Sequence, residues 1–322
     1  MNRPWLAALP TLAIATLSCS APVTPAPGQL MVVLGSDMTP GRDFTELRMT
    51  VEDPRVSGVL ENSWTFRTLA NGRFGGDTAL PATVAVVGVP GSRGVVTTVR
   101  VEAKLEGAVR VARVARVVIP ESGVQTLRMT TDWLCWDKLP VDEVDGAPVS
   151  CPAGRACVAG ACVKPEDSQK ELVPFDEASV FGGTADSRTC FDVLRCFAGG
   201  TVVRPALTNP ETCAFVYGGN AGNVSVAVRM PSAVTRGYCA RDGCLLPLDR
   251  GTAGGFVVAE GNAIVLPLAV CTHARGLEVV TSERCGPKVQ AVPACGEWSS
   301  SAGDHDGNDP NFVLDLREAA AR

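Results

Sequence analysis

Val95-Val-Thr-Thr-Val-Arg-Val-Glu-Ala-Lys-Leu105 and Val109-Arg-Val-Ala-Arg-Val-Ala-Arg-Val-Val-Ile119 decide the fold class of this chain. Both runs are rich in β-branched residues, which stack well on a pleated sheet, and Gly107 between them marks a turn. Working outward, residues 30–34 form a short apolar run. Leu47, Met49 and Val51 alternate with Glu46, Arg48 and Thr50, the period-2 pattern of a half-buried strand. Trp64 and Phe66 repeat it, and residues 83–89 and 124–129 add further apolar runs. About seven strands in about 100 residues predict an immunoglobulin-like or fibronectin-like β-sandwich over residues 29–131. That stretch holds no cysteine, and a domain of this size can bury its own core.

Arg110, Arg113 and Arg116 recur at every third position of the second run. The repeat could suggest an anion-binding stripe. In a strand, however, Arg113 faces away from the other two, so the three read as a solvated edge.

Cysteine usage divides the rest of the chain. Of 13 cysteines, Cys19 stands alone near the start and the others lie at or beyond Cys135. Setting Cys19 aside leaves an even, pairable set. Cys135, Cys151, Cys157 and Cys162 fall in residues 132–165, a mini-module with little apolar bulk. A segment of about 30 residues needs staples to fold, and these four suffice for two disulfides. Residues 166–172 are polar and read as a linker. Residues 173–300 read as a second β-rich domain with Cys190, Cys196, Cys213, Cys239, Cys244, Cys271, Cys285 and Cys295, again an even set whose pairing the sequence leaves open. Within it Val224, Val226 and Val228 alternate. Residues 256–259 and 263–268 read as strands paired across Glu260-Gly261-Asn262. Residues 189–197 suit a helical turn and a strand equally. Residues 301–322 form a polar tail.

The N-terminus reads as a leader. Arg3 supplies positive charge, and residues 5–17 supply an apolar stretch of signal-peptide length, too short to span a bilayer and interrupted by Pro10. Residues 20–28 are Pro-rich and make an extended tether. Thr16-Leu17-Ser18-Cys19 resembles the lipobox of bacterial lipoproteins, although Leu17 stands one place later than the family prefers. That resemblance implies an acylated Cys19 as the mature N-terminus, with residues 1–18 removed. Ser20 after it implies sorting to the outer membrane. An ordinary signal peptide cut near Ala21 is the alternative.

Cys151-Pro-Ala-Gly-Arg-Ala-Cys157-Val-Ala-Gly-Ala-Cys162 resembles small extracellular cysteine modules of the EGF-like or EB type. Trp133-Leu-Cys135, Val180-Phe-Gly-Gly, Cys244-Leu-Leu-Pro-Leu and Cys295-Gly-Glu-Trp298 extend the likeness: the chain resembles a group of cysteine-rich lipoproteins of myxobacteria with no established activity. The resemblance implies a class and a location, and no site.

Composition excludes some partners. Lys+Arg 29 against Asp+Glu 34 gives a net charge of −5, which argues against nucleic acid. The cysteine count suits an oxidising compartment rather than the cytosol. Two histidines and few aromatics weaken enzyme and sugar-binding readings. Cys239-x₄-Cys244 and the Cys151, Cys157, Cys162 spacing imitate zinc ligands, yet lack the paired pattern zinc prefers. Asp304, Asp306, Asn308 and Asp309 alternate like calcium ligands, but Gly307 and Asp315 miss the EF-hand positions, so a solvated tail is expected and a weak calcium site is the alternative. No G-x-S-x-G or H-E-x-x-H motif appears, and a Cys271/His273 nucleophile would need a free thiolate. No cofactor is expected. Trp64, Trp133, Trp136 and Trp298 are the mature tryptophans. Trp133 and Trp136 flank Cys135 and are expected to pack one module on the next. Asn223-Val-Ser225 matches a glycosylation sequon that means little in a bacterium.

The expectation is therefore a mainly β envelope lipoprotein, held in a lipid membrane by acylated Cys19 and lacking a catalytic site. Its role would be structural or adhesive, toward a protein or glycan partner. The alternative is a secreted or surface hydrolase with a carboxylate site in residues 173–300. That reading requires a deep pocket with convergent polar groups and shifted pKa values.

Overall fold

Among the described residues the first seven strands are β1 (Gln29–Ser36), β2 (Glu46–Glu52), β3 (Asn62–Arg67), β4 (Ala82–Val87), β5 (Val96–Leu105), β6 (Ala108–Val118) and β7 (Val124–Thr131). The hairpin β8 (Ala156–Val158) and β9 (Ala161–Val163) follows, then a 3-10 helix (Pro165–Glu171) and a short β10 (Val173–Pro174). The structure, a computed structural model, describes residues 28–52, 62–67, 80–87, 94–136, 138–139, 151–181, 191–203, 212–230, 237–240, 243–251, 255–273, 278–289, 292 and 294–295. Cys19, Cys190, Trp298, the leader, residues 20–27 of the tether and the tail with Asp304, Asp306, Asn308 and Asp309 lie outside the described residues, as do the side chains of Trp64 and His273.

The first strands make a two-layer sandwich with sheet orders β10-β7-β1-β4 and β3-β2-β5-β6. Period-2 alternation places Leu47, Met49, Val99, Val101, Val111 and Val117 between the layers with Leu30, Leu34, Leu127 and Met129. The sandwich is the architecture expected, but its strand order departs from the immunoglobulin type, in which the first, second, fourth and fifth strands share a sheet. Here the first and fourth join the seventh, and the second and fifth join the third and sixth. β1 and β7 run parallel, with Ser36 opposite Thr131 at their shared C-terminal ends.

Residues 166–172 do not behave as a linker. The 3-10 helix lies along β6, where Arg113 reaches Ser168 Oγ at 3.1 Å and Glu171 at 3.4 Å, and β10 then adds a strand to the sandwich beside β7. The solvated-edge expectation is corrected at Arg113 by the same contact. Arg113 is 3 % exposed, because the helix covers it. The Arg110 guanidinium stands 5.8 Å over the Trp136 ring, while Arg116 remains exposed, paired with Glu166 at 2.8 Å.

The remaining elements are α1 (Glu177–Phe181), α2 (Val193–Phe197), β11 (Thr201–Val203), β12 (Ala214–Val216), β13 (Ser225–Arg229), β14 (Tyr238–Ala240), β15 (Gly243–Leu248), β16 (Val257–Ala259), β17 (Ala263–Val265), α3 (Leu268–His273) and β18 (Glu278–Ser282). Residues 189–197 thus include a helix, started by Asp192, whose carboxylate accepts from the Arg195 amide at 3.0 Å. A five-stranded sheet, β11-β18-β13-β15-β14, packs one face on a small sheet, β12-β17-β16, through Val226, Val228, Leu246, Val279, Phe256 and Ile264. Its other face, with Ala227, Leu245 and Val280, meets Val193, Cys196 and Phe197 of α2 in a core continuous with that of the sandwich. Burial on both faces is why residues 224–228 read as an almost unbroken apolar run.

Disulfides join Cys135–Cys157, Cys151–Cys162, Cys196–Cys285, Cys213–Cys271 and Cys239–Cys244, and Cys295 is also disulfide-bonded. Each of these five bridges stays within the segment its cysteines belong to in sequence. They fit an oxidising, extracytoplasmic environment. Among the described residues no helix is long and apolar enough to cross a membrane.

Candidate functional site

The parallel pairing of β1 and β7 brings two carboxylates together. Asp37 and Asp132 are the residues immediately after these strands, so they leave the same end of the sheet side by side although far apart in sequence. Each is used. Asp37 Oδ1 accepts the Trp133 amide at 2.7 Å and so holds the start of a 3-10 helix (Trp133–Cys135). Asp132 Oδ2 accepts the Ala159 amide at 3.0 Å and so holds the turn between β8 and β9.

Asp249 follows β15 in the same way and comes to the same place from the C-terminal half, ion-paired with Lys288. Arg128 points out of β7 and donates to the Ser179 carbonyl at 2.7 Å. These groups, with Tyr238, line a cavity of about 120 Å³ between the sandwich and the C-terminal sheet.

Shielding from bulk water shifts their protonation. Burial, reinforced by the nearby charge of Asp132, holds Asp37 well above the usual carboxylate range against the opposing Trp133 hydrogen bond and Lys288 charge. Burial raises Asp132 to about 6, although the Ala159 amide and Arg113 favour its charged form. Burial, with Asp37 and Asp249 close by, keeps the Tyr238 phenol protonated.

The arrangement does three things. It satisfies strand-end amides, places positive charge opposite buried negative charge, and leaves room for ordered water. It does not approach the roughly 300–1,000 Å³ of a ligand site. Asp37 and Asp132 also lie outside residues 173–300, where the alternative hydrolase reading put a carboxylate site. Period-2 patterning identifies a strand but not its neighbour, so sequence alone gave no signal for this cluster.

The other candidates weighed from the sequence resolve as follows. Cys271 is bonded to Cys213, which removes the Cys271/His273 nucleophile. Cys239 and Cys244 are bonded to each other rather than arranged as metal ligands. Among the described residues no group of three or more His, Cys, Asp or Glu is placed to hold a metal ion. Trp133 and Trp136 are half-buried against the core at the junction, the packing role expected of them.

No family model matches the chain, and no curated protein matches it. Among solved structures, the chain is similar to an alternative pilotin from the type II secretion system of Vibrio cholerae, at 13 % identity over 32 % of this chain and 92 % of that one, with a TM-score of 0.21. At that score the likeness carries no argument.

Proposed function

We propose that the chain is a cell-envelope lipoprotein, tethered through an acylated Cys19 and acting as a structural or adhesive module. The observation that supports this most is the continuity of one stapled core. Leu30, Leu127, Phe197 and Val280 belong to a single buried cluster, so the pieces divided by cysteine pattern present one fixed surface. The body begins at β1, immediately after the Pro-rich tether of residues 20–28. Placement at the outer membrane rests on Ser20 following the cysteine, and the partner is a protein or a glycan.

A hydrolase is the second reading, favoured by the raised carboxyl groups of Asp37 and Asp132. Against it stands the size of the cavity they face. Cells bearing Cys19→Ala and cells bearing Asp37→Asn with Asp132→Asn separate the two. For an anchored module, Cys19→Ala releases the protein from the membrane fraction and abolishes its envelope or attachment phenotype, and the double substitution leaves that phenotype intact. The reverse pattern supports the hydrolase and overturns the module.

A further inference from the structure

Four of the five bridges among the described residues close separations of 22, 11, 89 and 58 residues, whereas Cys239–Cys244 closes 5. The stabilisation a disulfide gives through chain entropy grows with the logarithm of its loop, so this bridge stabilises least. The ladder of β14 and β15 already closes the same loop, with Tyr238 opposite Leu245, Cys239 opposite Cys244 and Ala240 opposite Gly243. β14 is an edge strand of its sheet. Cys239 on it is partly exposed, while Cys244 on β15 is buried. Cys239 is therefore the more accessible half of the pair to an external thiolate.

A cation is fixed on the reachable sulfur. Arg42 Nη1 lies 3.1 Å from Cys239 Sγ. Its Nε and Nη2 grip both oxygens of Asp43 at 3.0 and 2.9 Å, and Nη2 also donates to Thr39 Oγ1 at 2.9 Å and the Gly237 carbonyl at 3.0 Å. Asp43 is buried and in turn accepts the Thr39 amide at 2.8 Å. The planar guanidinium is thus oriented by the sandwich, and one N–H fork is directed at a sulfur of the C-terminal sheet. Asp43 offsets part of the charge, and the Gly237 carbonyl lies 3.7 Å from the same sulfur.

We infer that Cys239–Cys244 is a thiol–disulfide exchange site, reduced by an extracytoplasmic dithiol, with Arg42 as the positioning residue that receives the released Cys239 thiolate. A thiolate of the dithiol attacks Cys239 Sγ. The Sγ–Sγ bond breaks and Cys244 leaves as a thiolate that takes up a proton. The second thiolate of the dithiol attacks its own sulfur in the mixed disulfide, forming the reagent's disulfide and releasing Cys239 as a thiolate against Arg42. Two electrons pass to the pair. One of the dithiol's two protons ends on Cys244 and the other in solvent. Stabilising the thiolate favours the reduced state and makes the pair easier to reduce than the structural bridges.

The test is a redox titration of the full-length protein in graded mixtures of reduced and oxidised dithiothreitol, quenched with iodoacetamide and mapped by peptide mass spectrometry. Cys239 and Cys244 are expected to be alkylated together, at a reductant ratio about tenfold lower than any other pair requires. The alkylation rate of reduced Cys239 is expected to rise with a midpoint about one pH unit or more below the ordinary thiol value of about 8.5. Arg42→Gln, alone and with Asp43→Asn so that no buried carboxylate is stranded, should return that midpoint to the ordinary value and make the pair several-fold harder to reduce, on the order of threefold to tenfold. Arg42→Lys should retain part of the effect. Another pair opening first or together with this one, or an ordinary midpoint for Cys239 in the unsubstituted protein, overturns the inference.

Discussion

Asp132 shows most clearly how one residue links fold to stability. Its carboxyl moves from an ordinary 3.8 to about 6 because burial penalises the charge more than the Ala159 amide and Arg113 support it. The folded state therefore holds this proton more tightly than the unfolded chain does. The stabilisation is complete below about pH 3.8 and is lost as pH rises through about 6. Asp132→Asn keeps an oxygen for the Ala159 amide and removes the ionisable group. It is expected to raise the unfolding free energy at pH 7 by about 3 kcal/mol at most and to flatten its pH dependence between about pH 4 and 6. Denaturant titrations at a series of pH values check this, and an unchanged slope would count against the buried-carboxyl account. Neither Asp132 nor Asp37 was legible in the sequence as part of a site. Each reads as a polar residue ending a strand, and only a parallel partner nearly a hundred residues away places them together. Arg113 misled for a related reason. Its opposite facing from Arg110 and Arg116 was correct, but the cover supplied by residues 165–171 cannot be read from a strand pattern.

At the scale of elements, what one-sided burial dictates could be read directly. Leu47, Met49 and Val51 alternate because β2 has one face on the core, and β16 and β17 pair across the expected Glu260-Gly261-Asn262 connection. Local cysteine parity also held, since the mini-module bonds within itself through Cys135–Cys157 and Cys151–Cys162. How elements dock was not readable. Gly160, in the β8–β9 turn at φ +82°, lies so close to α3 that a Cβ would sit 2.1 Å from the Ala269 Cβ and 3.2 Å from that of Leu134. Its own amide and carbonyl are held by Cys135 Sγ and Lys138 Nζ, so the turn has little room to retreat. Gly160→Ala is therefore expected to destabilise by about 1–3 kcal/mol through overpacking and the left-handed backbone together. It should raise amide exchange in β8, β9 and α3 before the sandwich strands. Exchange unchanged in those elements would mean the turn is not a docking point.

Over the whole molecule, the sandwich, the mini-module and the C-terminal sheet share a core that runs from Leu30 to Val280, closed at the junction by Asp37, Asp132, Asp249 and Lys288. Pieces joined this way should melt together. Calorimetry of the oxidised protein is expected to give one cooperative transition, and two separated transitions would show independent domains. An acyl anchor at Cys19 would then hold a single rigid body rather than a string of modules. The most direct test is the non-reduced intact mass of the protein extracted from native membranes, with thiols alkylated before lysis and disulfides mapped afterwards. The expected chain starts at an acylated Cys19 and carries no alkylated cysteine outside the Cys239–Cys244 pair. An unacylated start, or an alkylated cysteine elsewhere, would contradict it.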